Sequence, residues 1–264
     1  MSKLNKATFE GIGIHTGKFC KVMVYPSDGG LWIKKGDMFF SNFHDMLVPS
    51  ENATLLENDY LRLSTVEHLL CALAMLSVND AVIEIVEGEE VPILDGSAIK
   101  FYKVLSDVFS KKHKKNILKS IKKPIFYMED ESFVYLFPHK RFEIRVYLDY
   151  TSKGLGLLSE EFILGRDKRE SILNARTFGF LSDYELLKSK GKALGANFEN
   201  VLVFDNKGKP LKKIRSLKEA QRHKILDFIG DLYLNGFLPR AQIVAVKPGH
   251  KINAKVSKMI NLFV

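Results

Sequence analysis

The sequence predicts an α+β protein built from two similar units. Short apolar segments of strand length alternate with a few longer helical segments, and both halves of the chain end in the order helix, strand, turn, helix. A lysine-rich stretch at 111–123 separates the halves, so we expect a first domain over residues 1–117 and a second over residues 118–264. The main helices carry related segments, EHLL at 67–70 and RHKI at 222–225, and this weak similarity suggests that they face each other.

In the first half we expect strands at 20–25, 31–34 and 81–86, and helices at 64–76 and 98–109. The glycine-rich segment at 11–17 lacks the G-x-G-x-x-G spacing, and no helix follows it. It is therefore not a phosphate-binding loop of the dinucleotide type.

The second half is richer in strands. A long helix is expected at about 217–234, where Asn235-Gly236 stops it, and shorter helices are expected near 169–175, at 183–190 and after 250. The apolar residues of 142–148 alternate with polar ones, as in a strand with one buried face. The expected strands are 125–128, 133–137, 141–149, 161–163, 200–204 and 241–246.

Composition narrows the class of protein. The 264 residues are 46% hydrophobic and 27% charged, as in a globular protein with a sizeable core. Cys20 and Cys71 provide neither a disulfide framework nor a CxxC metal site, and no apolar signal core or membrane-length segment is evident. We therefore expect a cytoplasmic protein.

The chain is basic, with a net charge of +9, which favours an anionic partner: nucleic acid, a phosphorylated small molecule or an acidic membrane surface. The densest basic run, 111–115, contains neither arginine nor interleaved aromatic residues, so it does not indicate a surface on which bases stack. Most such runs are solvated faces or linkers.

The helix at 64–76 has no evident polar face, yet it contains Glu67 and His68. A helix that is apolar all round is normally buried, and a buried carboxylate and imidazole are costly unless they are paired or metal-bound. Ser64 and Glu67 have the spacing of a capping box, so Glu67 could act as a helix cap while His68 is a hydrogen-bonded core histidine. The alternative is a metal ligand at His68 with a general base beside it.

The helix at 217–234 offers partners for such a metal. His223 and Asp227 are four residues apart and project from one helical face, where they could chelate one ion. The same pattern also fits an ordinary solvated face. Together with His68, however, two imidazoles and a carboxylate make a donor set for a catalytic Zn²⁺ with one position left for water, and Glu67 could take a proton from that water.

Two further residues could serve such a site. His250 follows the Pro248-Gly249 turn after a strand, a position that suits a functional group but also an exposed turn histidine. Asp231 lies one helical turn beyond Asp227 and could orient an imidazole and keep it protonated.

Six segments resemble the UDP-3-O-acyl-N-acetylglucosamine deacetylases of lipid A (lipopolysaccharide) biosynthesis, in order and spacing across nearly the whole chain. The resemblance implies a two-domain α+β fold, each domain a β-sheet layered against a pair of helices, with the active site between them. The segments are GIGIHTG (11–17), STVEHLLCALAML (64–76), VPILDGSA (91–98), ARTFGF (175–180), RHKILDFIGDLYLNG (222–236) and KPGHKIN (247–253).

The resemblance also implies residue roles. One Zn²⁺ per chain would be held by His68, His223 and Asp227, with Glu67 as general base and His250 as general acid. Around them, Asp231 would orient His250, Lys224 would position the substrate, Thr177 would help to hold the oxyanion, and Phe178 and Phe180 would line the substrate site. Residues about 183–211 would form an insertion around the acyl chain, lined by Ala193, Leu194, Val201 and Val203.

We therefore expect a zinc-dependent amidase that hydrolyses the N-acetyl group of UDP-3-O-acyl-N-acetylglucosamine and releases acetate. It would act as a monomer, touch the inner-membrane surface transiently and bind no nucleic acid. One rival hypothesis is a zinc hydrolase with a different N-acyl substrate. The other is a basic nucleic-acid-binding module that uses Lys111–Lys123, but it gives no account of Glu67 and His68 in an apolar helix.

Overall fold

The computed structural model describes residues 5–109, 113 and 115–264. The elements of the first half are β1 (Ala7–Ile12), β2 (Phe19–Pro26), β3 (Leu31–Lys35), β4 (Met38–Phe40), β5 (Leu47–Val48), β6 (Leu55–Glu57), β7 (Arg62–Ser64), α1 (Glu67–Leu76), β8 (Ala81–Glu87) and α2 (Ile99–Val108). Those of the second half are β9 (Leu118–Ser120), β10 (Ile125–Glu129), β11 (Ser132–Pro138), β12 (Phe142–Tyr150), β13 (Gly156–Ile163), α3 (Glu170–Leu173), β14 (Phe178–Phe180), α4 (Leu181–Ser189), β15 (Leu202–Phe204), α5 (Glu219–Leu232), β16 (Leu238–Val246) and α6 (His250–Asn261).

Each half contains a large mixed sheet, and the two sheets have the same topology. The first has the order β1-β2-β8-β3-β4, and the second has the order β10-β11-β16-β12-β13, with β9 added beside β16. In each sheet the central strand is the one that comes last in the chain. β8 is antiparallel to β2 and parallel to β3, and β16 is likewise antiparallel to β11 and parallel to β12. The α+β fold class is confirmed, and the order of strands repeats even though the sequence similarity is weak.

Four helices, α1, α2, α5 and α6, lie between the two sheets. α2 packs on β1 and β2, α6 packs on β10 and β11, and α1 and α5 pack against each other in the middle. This position explains why all ten residues of α1 are buried. The inner faces of the sheets complete one core, for example through Phe142, Ile144, Val146 and Leu148 of β12, which alternate with more exposed residues as the sequence predicts.

The capping box predicted for α1 is wrong. Ser64 ends β7, where its N–H donates to Glu89 O (2.9 Å), and the helix begins at Glu67 with Val66 as its N-cap. Thr65 lies between them with φ +60° and turns the chain away from the geometry that a capping box needs. The Glu67 carboxylate is therefore free for another role.

Several short elements escaped the sequence analysis. They are the three-stranded sheet β5-β6-β7, β9 and β14, and all of these strands are two or three residues long. β15 lies within the strand predicted at 200–204. Strands of that length carry too few residues for a period to be visible.

The predicted domain boundary stays a proposal. Lys111, Lys112 and Lys114 of the separating basic run lie outside the described residues, while β9, which begins at Leu118, pairs with β16 of the second sheet. Among the described helices, none combines the length and the apolar character that crossing a bilayer would require.

Candidate active site

The site forms where α1 and α5 cross, and a glycine allows the close approach. A Cβ atom on Gly230 of α5 would lie 2.1 Å from the backbone oxygen of Glu67 on α1, far inside van der Waals contact. The first turn of α1 therefore rests directly on the backbone of α5. His68, His223 and Asp227 face one another across this crossing.

These three side chains offer one ligand atom each within 4.8 Å of one another, and all three are buried. Asp227 Oδ1 lies 3.1 Å from His223 Nε2 and 3.8 Å from His68 Nε2. The polar stripe of α5 is thus not the solvated face that the sequence also allowed. The convergence predicted for the two helices is confirmed as geometry.

The protonation of this group fits a bound cation. His223 Nδ1 lies 3.2 Å from Ala175 O, which can only accept, so Nδ1 donates and Nε2 is the ring nitrogen that faces Asp227. Asp227 Oδ1 is buried without a hydrogen-bond partner. A ring nitrogen and a carboxylate oxygen this close need either a proton or a metal ion between them.

The electrostatics of the ligands agree with this fit. Burial, followed by the neighbouring His223, lowers the pKa of His68 to about 3, so its ring is neutral and able to coordinate. Burial alone would raise the pKa of Asp227, but the attraction of His223 and Lys224 outweighs it and holds the pKa well below the usual value. Lys224 Nζ donates to Asp227 Oδ2 at 3.0 Å, which leaves Oδ1 for the other partners.

A second buried cluster, Glu67, Asp231 and His250, adjoins the first. His250 is the first residue of α6 and is buried, unlike an exposed turn histidine. Its Nδ1 lies 3.0 Å from Asp231 Oδ2, and its Nε2 lies 3.9 Å from Glu67 Oε1. Asp231 therefore fixes the ring, and the far nitrogen faces Glu67.

The pKa values of this pair are displaced toward neutral and basic pH. Burial raises the pKa of Glu67 to about 7, and the positive charge of His250 only partly offsets it. Burial disfavours the charged form of His250, but the attraction of Asp231 and Glu67 outweighs it and raises the pKa to about 9. A carboxylate able to take a proton and an imidazolium able to give one thus sit side by side near neutral pH.

Both clusters open into one cavity of about 150 Å³. Its walls combine the polar groups already described with side chains from three loops. Thr177 and Phe178 come from the segment around β14, and His15 from the glycine-rich segment. The lining residues are Ile14, His15, Glu51, Asn52, Thr65, Glu67, His68, Ile93, Thr177, Phe178, His223, Lys224, Asp227 and His250.

The apolar residues predicted to line a substrate passage lie beside this cavity, in different ways. Val201 and Val203 pack in a small cluster with Ile14 and Ile93, which belong to the cavity wall. The N–H of Leu194 donates to His15 O at 3.2 Å, and Ala193 precedes it with φ +56°.

The two predicted phenylalanines have separate positions. Phe178 meets the ring of His223 edge-on, with centroids 6.2 Å apart. The ring centroid of Phe180 lies 6.2 Å from that of Phe178, but Phe180 belongs to a neighbouring cluster with Leu202 and Phe204. Phe180 therefore supports the wall from behind.

Sequence reasoning missed the residues that hold the second cluster. The Thr54 N–H donates to Glu67 Oε2 at 3.1 Å, and the Thr54 hydroxyl donates to Asp231 Oδ1. Asn253 Nδ2 donates to Asp231 Oδ2 at 2.8 Å. Asn253 lies three residues beyond His250, a spacing that could have signalled it, whereas nothing near Thr54 in the sequence points to Asp231.

Buried Glu90 was also missed. It accepts hydrogen bonds from the backbone of His15 and Thr16 and from the hydroxyl of Thr65, at 2.9 Å each. Gly13 lies so close to this carboxylate that a Cβ atom would stand 2.1 Å from it. The glycine-rich segment is thus anchored on Glu90 as part of the cavity wall.

Comparison with known proteins shows the family of the chain. Residues 4–261 match the family model described as UDP-3-O-acyl N-acetylglycosamine deacetylase. Three proteins named UDP-3-O-acyl-N-acetylglucosamine deacetylase are among the similar ones. That of Syntrophus aciditrophicus is 36% identical over 95% of this chain and 82% of its own length. That of Thermodesulfovibrio yellowstonii is 35% identical over 93% of this chain and 86% of its own length. That of Aquifex aeolicus is 32% identical over 96% of this chain and 89% of its own length. The chain belongs to the UDP-3-O-acyl N-acetylglycosamine deacetylase family.

Proposed function

We propose that this chain uses one Zn²⁺, held by His68, His223 and Asp227, to hydrolyse the N-acetyl group of UDP-3-O-acyl-N-acetylglucosamine. The products are acetate and UDP-3-O-acyl-glucosamine, an early intermediate of lipid A biosynthesis. The deacetylation itself is supported by membership of the family. The metal and the residue roles are our proposal.

One observation carries the metal proposal. The ligand atoms of His68, His223 and Asp227 converge from two helices within 4.8 Å, and the Asp227 oxygen at their centre has no hydrogen-bond partner although it is buried. Two imidazoles and one carboxylate are the donor set of many catalytic zinc sites. Bound there, Zn²⁺ would polarise the acetyl carbonyl and make a nearby water more acidic.

Glu67 is the proposed general base. Its carboxylate borders the cavity beside His68, and the N–H of Thr54 fixes one of its oxygens. In the ionised form it accepts the proton of the water that attacks the acetyl carbon. With a pKa raised to about 7, Glu67 is a stronger base than an ordinary glutamate and still ionises near neutral pH.

His250 is the proposed general acid. Asp231 holds Nδ1 and keeps the ring charged, so the proton on Nε2 is available to the leaving amine when the C–N bond breaks. The same positive charge stabilises the developing oxyanion. The hydroxyl of Thr177, which lines the same cavity, donates a hydrogen bond to that oxygen in the proposed mechanism.

The cavity wall fits the two ends of the substrate. Lys224, with its ammonium group at the cavity, would position the polar sugar, and the net charge of +9 attracts a diphosphate. Phe178, backed by Phe180, would line the sugar site. The acyl chain would pass along Ala193, Leu194, Val201 and Val203, the apolar segment beside the cavity.

We further propose a monomer that works in the cytoplasm and touches the inner-membrane surface transiently. Both helices that hold the site belong to one chain, so no second copy is needed to complete it. Cys20 and Cys71 are both free, as in a reducing compartment.

The test is metal analysis coupled to acetate release, with and without a chelator. We expect one zinc per chain, activity that is lost with the metal, and activity that returns when zinc is added. The variant His68→Ala should retain no stoichiometric zinc after dialysis. His44→Ala is the matched control, because His44 is equally buried but bonds to Asn235, away from the site. Full zinc retention in His68→Ala would show that the ligand set is wrong.

A further inference from the structure

The segment 181–218 exposes an unusual amount of apolar surface. None of the nine residues of α4 is buried, although four of them are Leu or Tyr. Leu186 is 58% exposed and Leu217 is 92% exposed. The exposed apolar side chains are Leu181, Tyr184 and Leu186 on α4, and Leu194, Phe198, Leu211 and Leu217 in the following segments.

The same segment is strongly basic. It contains nine Lys and Arg residues and four Asp and Glu residues, so its net charge is +5. These 38 residues therefore carry more than half of the net charge of +9 of the whole chain. Ion pairs occupy three of the cations, Lys212, Arg215 and Lys218. Within the described part of the chain, the other six have no carboxylate partner: Lys188, Lys190, Lys192, Lys207, Lys209 and Lys213.

This basic and apolar surface adjoins the cavity. The N–H of Gly195 donates to Ile14 O at 3.0 Å, and a Cβ atom on Gly195 would touch the side chain of Ile12, which is itself exposed. On the inner side of the same segment, Val201 packs on Ile14 of the cavity wall. One short stretch of chain thus packs against the cavity wall with one side and meets solvent with the other.

We propose that residues 181–218 form a docking surface for an anionic lipid bilayer. Exposed Leu, Phe and Tyr side chains insert at the boundary between headgroups and acyl chains, while unpaired lysines bind the lipid phosphates. The inference rests on the proposed function, because a bilayer at this surface would lie where the acyl chain of the substrate leaves the cavity.

The second sheet has an exposed apolar face too, and its charge differs from that of residues 181–218. Phe126, Met128 and Phe137 are half exposed on the outer side of the second sheet. Two lysines that border this face are neutralised, Lys251 by Glu129 and Lys247 by Glu131. This face thus combines exposed apolar side chains with paired lysines, and it provides the matched control.

The experiment is co-sedimentation of the full chain with vesicles of phosphatidylethanolamine and phosphatidylglycerol, and with vesicles of phosphatidylcholine alone. We expect binding to the anionic vesicles only, weakened by salt. Lys188→Glu/Lys190→Glu should lower the vesicle partition coefficient at least ~tenfold. Leu186→Ser/Leu217→Ser should lower it about as much. Phe126→Ser/Met128→Ser should bind as the wild type does, and the thermal unfolding midpoints show that each variant is folded.

Three results would overturn the docking surface: equal binding to both kinds of vesicle, wild-type binding by both segment variants, or loss of binding in the control variant alone. Sedimentation velocity of the same proteins tests a second copy as the occupant; self-association that these variants abolish, without vesicle binding, would also reject the lipid surface. Acetate release by the wild type from detergent-dispersed substrate is measured separately. An active chain that ignores vesicles refutes only this inference, whereas an inactive chain refutes the proposed function.

Discussion

The two halves of the fold carry insertions at the same place, between the fourth strand of the large sheet and the main helix. The first, 41–66, contains the sheet β5-β6-β7, and the second, 164–218, contains α3, α4 and the pair β14-β15. The first buries Leu56, Leu61 and Leu63 almost completely in the main core. In the second, α4 buries nothing.

This difference separates two tasks. The first insertion is packed into the core, and it brings Thr54 to the base Glu67 and to Asp231 with fixed geometry. The second contributes Thr177 and Phe178 to the cavity near its start, and then extends into solvent with an apolar and basic outer surface. One half of the fold thus carries an insertion that is packed into the core, and the other half carries one that faces solvent.

The largest expected effect tests this contrast directly. Leu56→Ala in the first insertion should lower the free energy of unfolding by about 2–5 kcal/mol, because it leaves a cavity in a well-packed core. Leu186→Ala in the second should change it by less than ~0.5 kcal/mol, since the side chain is 58% exposed. Urea unfolding of the two variants measures both. A similar loss in both would mean that α4 is packed as tightly as the first insertion.

The crossing of α1 and α5 joins the two halves, and Gly230→Ala probes it. The added methyl group would meet the backbone of Glu67, so the helices must separate, and we expect a loss of about 3 kcal/mol in unfolding free energy. Zinc affinity should fall as well, because the ligands come from both helices. Gly29→Ala is the control, since a Cβ there has open space. A Gly230→Ala protein of wild-type stability and zinc affinity would show that the close approach is not needed.

The fold was largely readable from the sequence because its long elements have clear periods. The alternation in β12 predicted a strand within a few residues, and the helix expected at 98–109 is α2. The capping box failed because Thr65 adopts a left-handed conformation that a local motif does not reveal.

The site was readable only in part. The spacing of His223 and Asp227 put them on one face of α5. The same polar stripe also fits a surface helix, and it is buried only because α1 packs against it. Thr54 was out of reach, because its partner Asp231 is 177 residues away and a threonine in a loop is unremarkable. Long-range partners of this kind depend on tertiary structure, which a single sequence does not display.

Asp231→Asn tests the acid that the second half supplies. Asp231 raises the pKa of His250, so its loss should lower that pKa and move the basic limb of the pH profile of kcat/KM to lower pH, with a fall of ~100-fold at the optimum. In the metal-free protein, stability gained from the raised pKa is complete below about 6.5 and disappears as pH rises through about 9. The two proteins should therefore differ most in unfolding free energy below pH 6.5. Exposed Asp107→Asn is the control, and an unmoved basic limb in Asp231→Asn would assign that limb to another group.

Thr54→Val tests the support that the first insertion gives to the same pair. Valine keeps the shape and the backbone N–H to Glu67 but removes the hydroxyl that donates to Asp231, so the carboxylate loses one of the bonds that fix it. Such supporting contacts are typically worth ~10–100-fold in activity, and we expect the lower end because Asn253 still holds the other oxygen. The fall should appear in kcat with zinc content unchanged, whereas Thr8→Val, an exposed strand substitution, should have no effect. If Thr54→Val lost zinc instead, Thr54 would serve the metal cluster, and the division of tasks between the two insertions would have to be redrawn.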